Sequence, residues 1–137
     1  MFFKKIKSLS VIACAALMLF STPVYAANTD FKFSLNSTTS KESSLGVGQK
    51  SLDGDTNAYV TPDASKSNLA IKGATVNFRI RDNAKNYATE YVQCNSYKKY
   101  VLPYLSGKAV GGASYRLFAN VEKTNAYPVN LGGRWCP

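Results

Sequence analysis

The sequence predicts an all-β fold, a small antiparallel β-sandwich of about six or seven short strands that follows a cleaved N-terminal signal helix. Three observations favour this fold. Apolar and polar residues alternate with a period of two in several segments, which is the pattern of strands covered on one side only. Turn-forming residues separate these segments at short intervals, and almost no segment after the leader has the apolar spacing of an amphipathic helix. This spacing of strands is typical of sandwiches and small barrels.

The first 26 residues have the layout of a secretory signal peptide, so we predict a secreted, extracellular protein. Lysines open the segment, an uninterrupted apolar run follows at 11–20, and Pro23 breaks it. Val24-Tyr25-Ala26 then places small residues at the −3 and −1 positions. We expect cleavage between Ala26 and Ala27.

Two other interpretations of the leader stay open. Val11-Ile12-Ala13-Cys14 resembles the lipobox of bacterial lipoproteins, although the apolar run continues past Cys14 instead of closing there. An uncleaved anchor is the second, although a run shorter than about 20 residues does not span a bilayer comfortably.

Charge and residue types narrow the function. The formal net charge of +9 falls to +6 when Lys4, Lys5 and Lys7 leave with the leader, and a positive field favours anionic partners. The chain has no histidine, which excludes a His base and His metal ligands. Asp53 and Asp55 lack the further ligands of an EF-hand. We therefore predict no enzyme, no cofactor and no metal. A Ser-Lys hydrolase stays open, although no serine is marked out from the others.

The two cysteines beyond the leader are predicted to form one disulfide, Cys94 to Cys136. An even pair in a small exported domain is most simply one bridge. It would close a loop of about 43 residues and contribute on the order of 4 kcal/mol. The alternatives are two thiols, or a cysteine used between chains.

Composition divides the chain into three parts. Residues 30–35 alternate as a short strand, and 36–57 are rich in Ser, Thr, Gly and Asp, as a solvated loop or tether is. We predict a signal peptide at 1–26, a short strand with a polar flexible loop at 27–56, and the sandwich core at 57–137.

The clearest core strand has Val76, Phe78 and Ile80 on one face and polar residues on the other. Another strand ends at Pro103, because proline cannot donate to a sheet ladder. A helix over 84–92 is the alternative in the tyrosine-rich middle of the chain. The core strands are expected at 57–61, 75–81, 100–102, 113–122 and 127–131.

The single tryptophan, Trp135, follows Gly132-Gly133. We expect it to be a structural anchor that closes one open end of the core beside the disulfide. An exposed Trp135 that stacks on a ligand is the functional alternative.

Basic residues on exposed strand faces and between tyrosines suggest an anion-binding patch. Its expected members are Arg79, Arg81, Lys98, Lys99 and Arg116. Arginine suits bidentate contacts to phosphate and carboxylate, so the expected partner is an anionic cell-wall polymer or a membrane surface. Export argues against nucleic acid. The alternative is a solvated cationic face that keeps the domain soluble and protects its edges.

The order of these features resembles an uncharacterised family of small secreted proteins of Gram-positive bacteria with a C-terminal Gly-x-Trp-x-Pro motif, and it is broadly similar to lactococcin 972-type bacteriocins. The residues that carry the resemblance are Phe31, Phe33, Val76–Arg81, Tyr115–Leu117 and Gly133–Pro137. The resemblance implies secretion and a β-sandwich, and it supplies no catalytic residues.

These observations together predict a secreted cationic β-sandwich that binds an anionic cell-envelope component. The resemblance implies that it acts as a bacteriocin-like antagonist. The alternative is a passive extracellular or matrix protein that self-associates through sheet edges. The third hypothesis is an enzyme without histidine.

Overall fold

The computed structural model describes residues 28–69 and 73–137. The predicted signal helix and its cleavage site at Ala26 and Ala27 lie outside these residues. A short 3₁₀ turn, Ala64–Lys66, follows the fourth strand, and Asp63 caps it by accepting a hydrogen bond from the Ser65 amide. The strands are β1 Thr29–Leu35, β2 Lys41–Glu42, β3 Gly48–Gln49, β4 Asn57–Pro62, β5 Val76–Asp82, β6 Val92–Cys94, β7 Tyr100–Pro103, β8 Ser114–Val121 and β9 Val129–Cys136.

The strands form two antiparallel sheets. One has four strands in the order β1-β9-β4-β7, and the other has five, in the order β2-β8-β5-β6 with β3 also paired to β8. The sheets face each other across one hydrophobic core. Phe31 of the first sheet meets Phe78 of the second edge-on, with ring centroids 5.7 Å apart. The all-β sandwich predicted from the sequence is therefore confirmed.

Period-two alternation sets which side chains fill this core. Val76, Phe78 and Ile80 are fully buried, and on the neighbouring β8 Tyr115 and Leu117 face the same interior. Each buried aliphatic or aromatic side chain contributes about 1.5–3 kcal/mol relative to exposure. In β5 and β8, the core positions are those that the alternating pattern predicted.

The segment 36–57, predicted as a polar flexible loop, contributes two short strands to the five-stranded sheet. Lys41 and Glu42 of β2 pair with Ala119 and Phe118, and β3 pairs further along β8. Such two-residue strands carry no periodic signal, because a period needs several residues to appear. β1 is also part of the sandwich, because it pairs along its whole length with β9.

The tyrosine-rich middle takes an extended path, and no helix forms over 84–92. The chain reverses after β5, and Tyr87 returns to bridge Arg81. Thr89 is fully buried, and its hydroxyl accepts a hydrogen bond from the Ile80 amide and donates one to the Glu90 carbonyl. Thr89 also bridges Tyr104, which follows β7, so this segment crosses from one sheet to the other.

The last strand is longer than predicted and is central. The sequence pattern suggested 127–131, but β9 continues through Gly132 and Gly133 to Cys136, between β1 and β4. A Cβ on Gly133 would lie 2.2 Å from the Thr61 carbonyl oxygen, so only glycine fits beside β4. Trp135 is 1% exposed and belongs to the core.

The predicted Cys94–Cys136 disulfide is wrong in this structure, where both cysteines are thiols. Adjacent strand residues point to opposite faces. Because Trp135 faces the core, Cys136 points to the outer face of the four-stranded sheet, beside Tyr59 of β4. Cys94 is fully buried on the other sheet, in the core. Pairing on both sides of β9, and not a crosslink, holds this segment.

The tight approach at Gly133 gives a first prediction. We expect Gly133→Ala to lower the free energy of unfolding by at least about 2 kcal/mol, because the new methyl group meets backbone and cannot be relieved by a side-chain rotation. Urea unfolding measures the change. Asn130→Ala, on the exposed face of the same strand, is the control and should change stability little. A Gly133→Ala protein as stable as the parent would contradict this packing.

The cysteine geometry gives a second prediction. Burial raises the pKa of both thiols, so the thiolate needed for alkylation forms only at higher pH than in an unstructured peptide. In native protein, iodoacetamide should therefore modify the partly exposed Cys136 slowly, faster as pH rises, and leave Cys94 unmodified until denaturant is added. Intact-mass spectrometry of the chain without the predicted leader, which contains the third cysteine, Cys14, would show one adduct and then two, and a Cys136→Ser control would lose the first. A protein that takes up no adduct even when denatured without reductant would carry a disulfide instead.

Candidate anion-binding surface

The structure divides the five basic residues expected in one patch between two places. Arg79, Arg81 and Arg116 share the outer face of the five-stranded sheet, where Arg81 and Arg116 are direct cross-strand partners. Lys98 and Lys99 lie between β6 and β7, and their ammonium groups sit over Tyr100 at 5.3 Å and over Tyr59 at 4.1 Å. Tyr59 belongs to the four-stranded sheet, so the two lysines do not extend the arginine face.

Arg79 is built into the sheet surface and is not available to a ligand. It is only 8% exposed, and its guanidinium carbon lies 3.9 Å from the Tyr87 ring centroid and 3.7 Å from that of Tyr91. Its Nη2 also donates to Glu90 at 3.3 Å. Stacking of a guanidinium between two rings is a favourable cation–π arrangement. Arg79 therefore orders the tyrosines on both sides of it.

Arg116 is also engaged within the protein. Its Nη1 forms an ion pair with Glu42 of β2, and its Nε donates to Asn83 at 3.3 Å. A guanidinium that already holds a carboxylate attracts a second anion weakly, because its charge is balanced locally. The short strand β2, which the sequence pattern did not predict, supplies this carboxylate.

Arg81 keeps its charge available. Its guanidinium carbon lies 4.3 Å from the Phe118 ring centroid and 5.0 Å from the Tyr87 ring centroid. These rings cover part of the guanidinium, but they are neutral and leave its positive charge uncompensated. Within the two described ranges, no carboxylate forms an ion pair with Arg81 or with Lys85. A half-exposed arginine supported by aromatic rings is suited to bidentate contact with phosphate or carboxylate.

A shallow cavity of about 230 Å³ joins these cations, and Arg81, Lys85, Asn86 and Tyr87 line it. We call these four residues the Arg81 surface. A tight turn builds it, because Asp82 accepts hydrogen bonds from the amides of Lys85 and Asn86. Lys85 lies in the left-handed region, with φ of 66°. Its exposed ammonium is a donor beside the arginine, while the Asn86 side-chain amide already donates to the Asp82 carboxylate at 3.4 Å.

Sequence reasoning missed Lys85 and Tyr87, although a signal for them exists. Asp82-Asn83 marks a turn, and a chain that reverses there runs back antiparallel to β5. Residues a few positions beyond the turn would then lie opposite Arg81, as Tyr87 does.

A larger cavity, of about 560 Å³, lies over the four-stranded sheet, and Arg134, Lys66, Tyr97 and Asp63 are among its lining residues. Its charge is mixed. Asp63 lies in the lining, and Arg134 is 3.7 Å from the Asp30 carboxylate. The Arg81 surface is therefore the more strongly cationic of the two sites.

Lys50 is a buried cation that the sequence pattern did not indicate. It is 1% exposed, and its ammonium makes no hydrogen bond within the part of the chain that is described. It lies 5.3 Å from the ring centroid of Tyr104, whose own hydroxyl is likewise buried and unpaired. Burial raises the pKa of Tyr104 far above its usual range, so the phenol stays neutral beside the lysine.

The Asp53–Asp55 turn is occupied by its own hydrogen bonds. Asp53 accepts from the Asp55 amide at 2.9 Å, and Asp55 accepts from the Tyr59 hydroxyl at 2.8 Å. A hydrogen bond from the Ser51 side chain, followed by that from the Asp55 amide, lowers the pKa of the Asp53 carboxyl group, and the Tyr59 hydroxyl lowers that of Asp55. Over residues 28–69 and 73–137, His, Cys, Asp and Glu form no cluster of three that could hold a metal ion.

Comparison with known proteins found no match among protein-family models, curated proteins or solved structures. In the described ranges, no helix has both the length and the apolar character needed to cross a bilayer.

Lys50 gives a third prediction. An unpaired buried ammonium is costly, and an apolar side chain of similar length removes that cost. We expect Lys50→Met to raise the free energy of unfolding by about 1–3 kcal/mol in urea titrations. Lys123→Met, at an exposed position, is the matched control and should change it by less than about 0.5 kcal/mol. A loss of stability in Lys50→Met alone would show that the ammonium group has a stabilising partner.

Proposed function

We propose that this protein is exported and binds an anionic polymer of the cell envelope through the Arg81 surface. The observation that carries the proposal is the cavity beside Arg81 and Lys85, one cation near the end of β5 and one in the turn that follows, neither of which forms an ion pair with a described carboxylate. Binding, and not catalysis, is the role that this surface supports.

Long-range and short-range electrostatic attraction both favour a polyanionic ligand. A net charge of +9 for the whole chain, or +6 without the three leader lysines, raises the local concentration of polyanions near the protein. At the surface, Arg81 offers a planar fork of donors and Lys85 a mobile point charge, the two forms of cation that contact phosphate and carboxylate oxygens. The leader suggests the compartment, where teichoic acids, lipid head groups and acidic glycans are the available anions. The resemblance to lactococcin 972-type bacteriocins is compatible with such a target.

The alternative, a structural protein that self-associates through sheet edges, has less support. The outer edge of β1 is covered at its centre, where Ser43 and Ser44 hydrogen-bond to the backbone of Lys32. At the opposite edge of this sheet, Pro103 ends β7, and proline cannot donate to an added strand.

The binding proposal gives a fourth prediction. Arg81→Gln combined with Lys85→Gln should weaken binding to purified poly(glycerol phosphate) about 5- to 30-fold at low salt, because two exposed charge contacts are lost. Binding of the parent protein should fall steeply as salt is added, and the variant should show a smaller dependence on salt. Isothermal titration calorimetry at several salt concentrations measures both.

The matched control is Lys32→Gln combined with Lys123→Gln. It removes the same net charge from exposed positions away from the Arg81 surface. If both double variants lose affinity equally, total charge and not this surface binds the polymer. If the parent protein binds independently of salt, or fails to bind, the proposal is wrong.

A further inference from the structure

We propose that the ligand carries sugar rings next to its anionic groups, and that Tyr91 and Tyr87 form the platform on which those rings stack. This inference rests on the proposed function and names the chemical class of the ligand, an anionic glycan or glycosylated polymer.

The tyrosine platform is defined by Tyr87 and Tyr91, two of the larger exposed aromatic surfaces of the protein. Their exposed fractions are 52% and 39%. Neither hydroxyl forms a hydrogen bond within residues 28–69 and 73–137, so both are available to external hydroxyl groups. Exposed aromatic rings with unused polar ends are typical of binding surfaces.

The platform is already ordered before any ligand arrives. The buried Arg79 guanidinium lies between the two rings, at 3.9 and 3.7 Å from their centroids, and Glu90 holds the guanidinium in place. Tyr87 is fixed further by its backbone bridge to Arg81. Because the rings lose little conformational freedom on binding, stacking on them is favoured.

Ring chemistry identifies the ligand class. The face of a tyrosine ring carries partial negative charge, so it attracts cations and polarised C–H groups. Arg79 already fills the space between the rings, and Arg81 also lies over Tyr87, 5.0 Å from its centroid. The face of Tyr91 that is turned away from Arg79 is therefore the main stacking surface, and Tyr87 contributes its exposed edge and hydroxyl. One face of a pyranose ring presents C–H groups, while its hydroxyls extend sideways to the tyrosine hydroxyls. A sugar therefore matches both the faces and the edges of this platform.

Tyr87 belongs to both sites and fixes their spacing. It lines the cavity with Arg81 and Lys85, and it shares Arg79 with Tyr91. A ligand that occupies both must place an anionic group within about one sugar unit of a ring. A polyanion without sugars would use only the cations.

The experiment compares three purified probes with the full-length protein as it is produced: glycosylated poly(ribitol phosphate), hyaluronan and inorganic polyphosphate. The first two carry sugars with phosphate or carboxylate, and the third has no sugar. Tyr91→Ala should weaken binding to sugar-bearing probes about tenfold and leave binding to polyphosphate unchanged, a loss comparable with removing one aromatic stacking contact. The stronger of the two sugar-bearing probes identifies the anion.

Matched variants separate stacking from folding. Tyr91→Phe keeps the ring and should retain most of the affinity, and Tyr91→Leu keeps an apolar cover over Arg79 but should lose as much affinity as Tyr91→Ala. Tyr127→Ala removes another exposed tyrosine, 72% exposed, and should have no effect. Circular dichroism confirms that each variant is folded.

The outcomes distinguish this inference from the proposed function. If Tyr91→Ala weakens all three probes equally, or none, the sugar platform is wrong while the anion site stands, provided that Arg81→Gln with Lys85→Gln still reduces affinity. If the tyrosine variants reduce affinity for sugar-bearing probes and the cation variants do not, the proposed anion site is wrong and the platform stands. A folded protein that binds no probe overturns both.

Discussion

The structure depends on the burial of β9 between β1 and β4. This strand supplies Trp135, the largest fully buried side chain, and its backbone pairs on both sides. Its place is possible because Gly133 lets the strand approach the Thr61 carbonyl oxygen. With β9 in place, the four-stranded sheet presents a complete apolar face to Phe78 and its neighbours on the other sheet. The arginine face on the far side of the second sheet is positioned by this packing.

Local balance of charge decides which cations are available on that face. Arg79 is held by Glu90 and two rings, and Arg116 by Glu42. Only Arg81 lies next to a cavity with a second cation and no described ion-pair partner. Three arginines of similar appearance in sequence therefore have different roles: one orders the tyrosines, one fastens β2 to the sheet, and one is available for a ligand.

The fold could be predicted to the extent that alternation over five or more residues reveals it. Alternation in the sequence predicts that Val76, Phe78 and Ile80 share the buried face of β5, and it predicts the buried face of β8 in the same way. β2 and β3 are too short to show a period, and β9 is interrupted by glycines, whose lack of a side chain hides the alternation. The disulfide was predicted from an even count of cysteines. The sequence also places Trp135 and Cys136 side by side, and strand geometry then sends one inward and the other outward. Only part of the candidate site could be predicted from the sequence. The arginines were evident, but Glu42, Lys85 and Tyr87 come to them through non-local pairing and a turn.

The pairing of Thr29 with Trp135 joins positions that are separated by about a hundred residues. During synthesis, β1 and β4 therefore cannot pair with β9 until nearly all of this domain has been made. The four-stranded half cannot close early, and loop closure over such a distance is slow. In the export that we propose, this delay would keep the chain unfolded until it has passed through the translocation channel.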